Sequence, residues 1–322
     1  MPSRPADLSR RELLKTALAI PMLRAFDRQG PPRAALTDIA KARAYAVAEG
    51  STAGLTIARD WQGNRCRSRL INQGSQTIRV REVVLFDLNL DFPASTPIYG
   101  ESFQMLSQSG GTLGAPKDLG SYTDAKHYRI PMAEGAQTYF GAMTLSPPGA
   151  PARGLAFTSI RRFAGSFRLR ASESLQVVVD TEGLTLAPGE RWELEEFVVA
   201  AGSTRDAVLA EIAARIVANH PRLRWPAPPT GWCSWYCFGA RVTAQNILDN
   251  LDAIEKKLPG LTYIQIDDGY QPAMGDWLET GAAFGGDVRK VLDEIRRRGF
   301  RPAIWVAPFI AEAESHLFKQ HP

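Results

Sequence analysis

Cysteine is scarce in this chain, with three in 322 residues. So few cannot build the disulfide framework that staples small secreted domains. Cys66 lies far from Cys233 and Cys237, and a three-residue spacer at a strand end seldom gives disulfide geometry. Reduced thiols are therefore expected. The four histidines (His127, His220, His316, His321) show no metal-ligand spacing, so no zinc site is expected. No uninterrupted apolar run approaches the ~20 residues that span a bilayer, which argues against a membrane span. A basic excess is missing too. The net charge is +4, and residues 1–33, with seven basic and three acidic side chains, account for all of it. The neutral body lacks the basic stripe that a nucleic-acid partner requires. Internal repeats are absent.

What is present is ordinary in bulk: 44% apolar and 22% charged residues, in a length that suggests about two domains. The first 35 residues stand apart. Ser9-Arg10-Arg11-Glu12-Leu13-Leu14-Lys15 precedes a short, weakly apolar segment, a pattern that resembles a twin-arginine export signal. It predicts a protein exported already folded to the periplasm or the medium. Residues 36–203 read as β structure. Ile78, Val80, Val84, Phe86, Leu88 and Leu90 suggest one apolar strand face, and Pro188-Gly189 marks a turn between the last two strands. Further strands are expected at 167–169, 175–179, 184–186 and 192–199, in an antiparallel sandwich. The Gly- and Ser-rich stretch 107–120 is expected as an exposed loop. Residues 204–229 read as a helical joint, with Val208, Leu209, Ile212, Ile216 and Val217 on one face, and a linker containing Pro221, Pro226, Pro228 and Pro229.

From residue 230 the rhythm becomes strand, helix, strand, helix, strand. Thr243 and Asp287 are placed to cap the two helices. Repeated βα units with short apolar strands predict a parallel sheet. A (β/α)8 barrel takes about 250 residues, whereas 92 run from Gly231 to Pro322. The expectation is three βα units, with the remaining units supplied by a longer protein or another chain.

Each of the three strand ends carries aromatic or acidic residues. They read GWCSWYCF (231–238), YIQIDDGYQ (263–271) followed by GDW (275–277), and WVAPF (305–309). Residues just past the carboxyl ends of parallel strands form the active-site rim of α/β folds. Carboxylates there can accept sugar hydroxyls, and aromatic rings can cover the apolar face of a sugar. In this order and spacing, the four motifs resemble glycoside hydrolase family 36, the α-galactosidase family. The resemblance implies a multidomain architecture, an N-terminal antiparallel β-supersandwich followed by a TIM (β/α)8 barrel. It also implies retaining hydrolysis of terminal α-linked galactose without a cofactor, on an α-galactoside oligosaccharide. A homo-oligomer is compatible with this.

Residue by residue, the resemblance implies that Asp267 and Asp268 bind galactose hydroxyls. It makes Trp235 a packing surface for the sugar, puts Trp277 at the pocket border and puts Trp305 nearby. A retaining glycosidase needs two carboxyls about 5–5.5 Å apart as nucleophile and acid/base. In the family these lie on strands 4 and 6, beyond Pro322, so no catalytic residue is expected in this chain. Pairs made from Asp267 or Asp268 with Asp276 are the local alternative. Competing functional readings are a raffinose-synthase-like galactosyl transferase, an α-N-acetylgalactosaminidase, and a non-catalytic fragment or sugar-binding remnant.

Overall fold

The computed structural model describes residues 35–101, 108–120, 133–170, 174–221, 228–258 and 260–321. The export-signal reading, apart from Ala35, lies outside them, as does Pro226 of the expected linker. The chain forms two compact units, Met1–Arg222 and Leu223–Pro322.

The described part of the first unit is built from two antiparallel sheets. One has five strands, in the order Arg43–Ala48, Ile78–Asn89, Ser174–Leu186, Ala164–Arg170, Gln137–Phe140. The other has nine strands and is centred on Arg65–Asn72, Phe197–Gly202, Ala152–Phe157 and Ala142–Leu145. Phenylalanines bridge the two sheets. Phe86 meets Phe197 with ring centroids 4.9 Å apart, and Phe157 meets Phe167 at 5.6 Å. Aromatic pairs at these separations add to the apolar burial that holds a sandwich together.

Three sequence expectations change within the sheets of this unit. The alternation through Ile78–Asn89 breaks at Leu85. Phe86 pairs with Val177 and Val84 with Val178, so Leu85 is an extra, bulged residue. The side chain of Arg59 donates to the bulged carbonyl of Leu85 at 2.9 Å. Second, the strand expected over 192–199 is split into Arg191–Glu193 and Phe197–Gly202. Between them the Glu195 carboxylate accepts N–H groups from Arg161, Arg162 and Phe163 and the Ser159 hydroxyl. A buried carboxylate with four donors is satisfied, and the strand interrupts to place it. Third, the stretch expected as a loop is a hairpin of Gln108–Thr112 and Ala115–Gly120. Leu113 at its turn is fully buried in the core. Gly111 permits the tight return, with φ +84° and the Ala115 oxygen 2.4 Å from where a Cβ would sit.

Helix α1, Arg205–Asn219, starts at an N-cap in which Thr204 Oγ1 accepts from Ala207 N. It lies against the nine-stranded sheet and buries Val208 and Ile212 on Ala152, Ala156, Val198 and Ala200. Gly154 allows the close approach, since a Cβ there would fall 2.4 Å from Val208 Cγ1. Ile216 and Val217, expected on the same apolar face, are exposed.

The second unit holds a three-stranded parallel sheet of Gly231–Cys233, Tyr263–Ile266 and Arg301–Ile304, with the middle strand hydrogen-bonded to both others. The first strand is followed by a one-turn helix, α2 (Trp235–Phe238), and then α3 (Ala244–Lys257). The second strand leads to α4 (Arg289–Arg297), and α5 (His316–Gln320) follows the third. Helix α3 begins with a full capping box between Thr243 and Asn246. At α4 the expected cap is displaced by one residue. Val288 is the N-cap, and Asp287 accepts from Arg289 N at 3.1 Å.

Ile247, Leu251 and Ile254 of α3 join Val291 and Ile295 of α4 over Ile264 and Ile266 of the middle strand. Arg298 ties the two helices by pairing with Asp252, Glu255 and Glu294. Hydrogen bonds from Arg297 and Arg298 lower the Glu294 carboxyl from 4.5 to about 2.

Two outcomes test this account. Phe197 is fully buried among three other phenylalanines, so Phe197→Ala should cost about 3–5 kcal/mol of stability, read from the denaturant midpoint. Glu294 gains stability for the fold only while ionised. Wild type should therefore exceed Glu294→Gln by a constant margin well above pH 4.5, and that margin should shrink as pH falls below 4.5 and be lost below about 2. Urea melts of both proteins across this range measure it.

Candidate functional site

The middle strand Tyr263–Ile266 sets the site by its two-residue alternation. Ile264 and Ile266 turn into the helical layer, while Gln265 faces the other side and its amide reaches the Asp267 carboxylate. There a cleft of about 450 Å³ is lined by Gly231, Trp232, Cys233, Tyr263, Gln265 and Ala303, among others. The strands come close enough because residue 231 is glycine. A Cβ at that position would lie 2.3 Å from the Tyr263 oxygen.

Asp267 is only 8% exposed, and its carboxylate is held on both oxygens. Oδ2 accepts from Gln265 Nε2 at 2.6 Å and from the Cys233 thiol at 3.3 Å, and Oδ1 accepts from Asp268 N at 2.9 Å. Its own backbone N–H donates to the buried Ser234 hydroxyl at 2.9 Å, which links the ends of the first and second strands. Asp268 is less committed. Gln271 Nε2 donates to its Oδ1 at 2.6 Å, and no donor among the described residues reaches Oδ2. Gly269 makes the turn between them, with φ +114° and its Cβ position 2.4 Å from the Ala240 oxygen. The two carboxylates thus differ in kind: one is locked into a network and one has an open acceptor.

Burial, seconded by the neighbouring Asp267, pushes the Cys233 thiol up, so it stays protonated at neutral pH and acts as a donor.

Trp277 and Trp305, expected at the pocket border and near the pocket, meet edge to face with ring centroids 5.7 Å apart and planes at 79°. Trp305 N bonds to Ile266 O at 2.9 Å, and the Tyr270 hydroxyl donates to Trp277 O at 3.3 Å. The indole Nε1 of Trp277 is buried with no partner among the described residues. Trp235 is not part of this corner. It stands on α2, 45% exposed.

Asp276, weighed above as half of a local catalytic pair, is committed elsewhere. Both its oxygens accept N–H groups of α5, from His316 and Leu317, at 3.1 Å each. Loss of water raises its carboxyl, but these two bonds outweigh that and hold it below the usual range. A carboxylate fixed in this way is a poor proton donor, which argues against Asp276 as the acid of a local pair. Glu279 faces His316 Nδ1 at 2.9 Å and raises the imidazole's affinity for its proton. Among the described residues, Asp276, Glu279 and His316 form one donor set with cation-ligand spacing, all within 4.8 Å. The helix cap and the Glu279–His316 contact already satisfy it. Spacing in sequence did not reveal this set, because His316 lies far along the chain from the two acids.

The sequence reading also missed Cys233, Ser234, Gln265 and Gln271 as the frame of the carboxylates. The available signal was the strand period, which puts Gln265 on the side of Asp267. A second cavity, of about 320 Å³ in the first unit, is lined by Arg67, Ser159, Glu195 and Glu196 among others. The Glu195 and Glu196 carboxylates are engaged by Ser159, Thr158, Asn219 and nearby backbone N–H groups.

No protein-family profile matches the chain. Curated relatives do, among them two glycosidases. One is a bifunctional α-galactosidase/sucrose kinase of Mediterraneibacter gnavus, 22% identical over 147 residues, which are 42% of this chain and 16% of the relative. The other is an A type blood α-D-galactosamine galactosaminidase of Flavonifractor plautii, 28% identical over 164 residues, 47% and 15% of the two chains. Among solved structures, an α-galactosidase from Thermus thermophilus in complex with p-nitrophenyl α-D-galactopyranoside aligns with a TM-score of 0.56 at 24% identity. It covers 83% of this chain and 52% of that one. The galactosidase domain of the α-galactosidase–sucrose kinase aligns with a TM-score of 0.58 at 16% identity, over 92% and 44%. A family 36 α-galactosidase of Geobacillus stearothermophilus gives 0.54 at 14%, over 87% and 41%.

The aligned part is thus about a sixth of each characterised relative and about half or less of the solved chains. These neighbours are α-galactosidases and a galactosaminidase, and the antiparallel unit matches in fold the N-terminal β-sandwich domain of family 36.

The thiols provide a local test. All three cysteines are free: Cys66 is buried, Cys233 is half-buried and Cys237 is exposed. Iodoacetamide at neutral pH should alkylate Cys237 first, Cys233 more slowly and Cys66 only on unfolding, as mapped by peptide mass spectrometry. Asp267→Asn should speed labelling of Cys233, because it removes the charge that opposes thiolate formation.

Proposed function

We propose that this chain carries the β-supersandwich and the first three βα units of a TIM-barrel glycosidase of family 36, which releases terminal α-linked galactose with retention. On this reading residues 1–35 are a twin-arginine leader, 36–203 the supersandwich, 204–229 the joint and 230–322 the start of the barrel. The mature protein acts in the periplasm or the medium.

The observation that carries the reading is the carboxylate pair at the end of the middle parallel strand, with Asp267 locked and Asp268 Oδ2 open. In this role Asp268 accepts galactose hydroxyls directly, and Asp267 supports it and contributes where the sugar enters its network. Charge-assisted acceptors of this kind discriminate epimers, because a misplaced hydroxyl leaves a desolvated oxygen unpaired. Trp277 and Trp305 form an aromatic corner beside the sugar, and Trp235 offers a second apolar surface. The nucleophile and acid/base belong to later barrel strands, so the chemistry needs protein beyond these residues.

An α-galactosyl transferase is the second reading, favoured by Cys233 between Trp232 and Trp235 in the first motif. An α-N-acetylgalactosaminidase is the third, favoured by the Flavonifractor plautii relative, whose name states that activity. The chain as a remnant without its own chemistry is distinguished from all of these by turnover.

The test is the full-length gene product on chromogenic α-galactosides and α-N-acetylgalactosaminides, and on galactinol with sucrose. Release of galactose should dominate. Asp268→Asn should lower kcat/KM by about 10–100-fold, the loss typical of a charged hydrogen-bond acceptor. Absence of turnover on every one of these substrates would sink the proposal, and transfer outrunning hydrolysis would favour the transferase.

A further inference from the structure

Two loops leave the carboxyl ends of neighbouring strands, and the structure laces them together at one place. Met274 N donates to the Glu312 carboxylate at 3.1 Å, and Glu312 N returns a bond to Met274 O at 2.9 Å. Next in the chain is Gly275, with φ +111°; a Cβ there would lie 3.0 Å from both Ala311 Cβ and Ser315 Oγ. Then comes Asp276, 6% exposed, with each oxygen accepting one N–H at the start of α5. Glu279 adds its contact to His316. Trp277, immediately after Asp276, has its carbonyl held by Tyr270 on the opposite side and its ring against Trp305. Backbone on both sides of Trp277 is therefore pinned, and Asp276 is the buried charge in that pinning.

We infer that Asp276 is a positioning residue, which sets the Trp277–Trp305 corner by fastening the loop after the second parallel strand to the segment after the third. The inference rests on the proposed glycosidase reading for the corner's use as a sugar wall, and on geometry alone for the positioning. In this role Asp276 touches no reacting atom. It acts on sugar binding through the angle and place of the Trp277 ring, and Glu279 and His316 brace the same junction from outside.

Two indoles in edge-to-face contact couple their transitions and produce a circular-dichroism couplet, which global stability does not by itself change. The experiment records this couplet for the 322-residue chain and for Trp305→Phe, Asp276→Ala and Asp276→Asn. A thermal melt of each reports whether the unit folds. Trp305→Phe should abolish the couplet. Asp276→Ala should reduce it by about half or more while melting cooperatively. Asp276→Asn, which keeps one acceptor oxygen, should fall between wild type and alanine. If the alanine variant does not fold, the asparagine variant decides.

A wild-type couplet in a folded Asp276 variant would overturn the inference. In the full-length enzyme, Asp276→Ala should raise KM by about tenfold with kcat changed by less than about threefold. Loss of kcat at constant KM would overturn it too, by assigning Asp276 to the chemistry. A wild type that turns over no α-galactoside defeats the glycosidase reading, and the couplet still decides the positioning role.

Discussion

The second unit depends on the two-residue alternation of the short strand Tyr263–Ile266. One side of that strand supplies Ile264 and Ile266, which anchor both helices. The other supplies Gln265 and, one step past the strand end, Asp267. A slip of one residue would exchange the two sets and place a carboxylate in the helical core, at a cost no local hydrogen bond could offset. The alternation is secured from both sides. Three apolar side chains of α3 pack over it, and the first and third strands pair with it in register, Cys233 beside Gln265 and Gln265 beside Ala303. Arg298, with its three acidic partners, holds α3 and α4 so that this layer stays in place.

Carboxylates serve two purposes in this protein, and the donors around them tell the two apart. Glu195 collects three backbone N–H groups and a hydroxyl, and Asp276 collects the first two N–H groups of α5. Both are structural pins with their acceptor capacity largely used. Asp268 has one partner on one oxygen and, among the described residues, none on the other. That imbalance, more than the presence of acidic residues as such, separates a group able to take a ligand from one that holds the fold.

Much of the architecture was legible in the residues. Pro188-Gly189 marked a real turn, Thr243 a real cap, and the strand–helix rhythm after residue 230 a real parallel sheet. The failures share a cause. Leu85 became a bulge because Arg59, distant in sequence, takes its carbonyl. The stretch around Gly111 became a hairpin because Leu113 found a place in the core. The strand before Phe197 broke because Glu195 met three N–H groups from residues 161–163. In each case a contact across many residues overrode a local pattern, and local patterns contain no term for such contacts.

The sequence by itself determined the strand–helix order after residue 230, the Pro188-Gly189 turn and the identity of the rim motifs, because each is encoded by neighbouring residues through period, propensity and backbone freedom. Only the tertiary structure decided which carboxylates are free. Asp267, Asp268 and Asp276 look alike in the sequence. Their roles diverge because Gln265 and Cys233 reach the first, one oxygen of the second is left open, and the N-terminus of α5 comes from 40 residues away to occupy the third. Hydrogen-bond satisfaction is a property of three-dimensional neighbours, and it is what separates a binding group from a structural one.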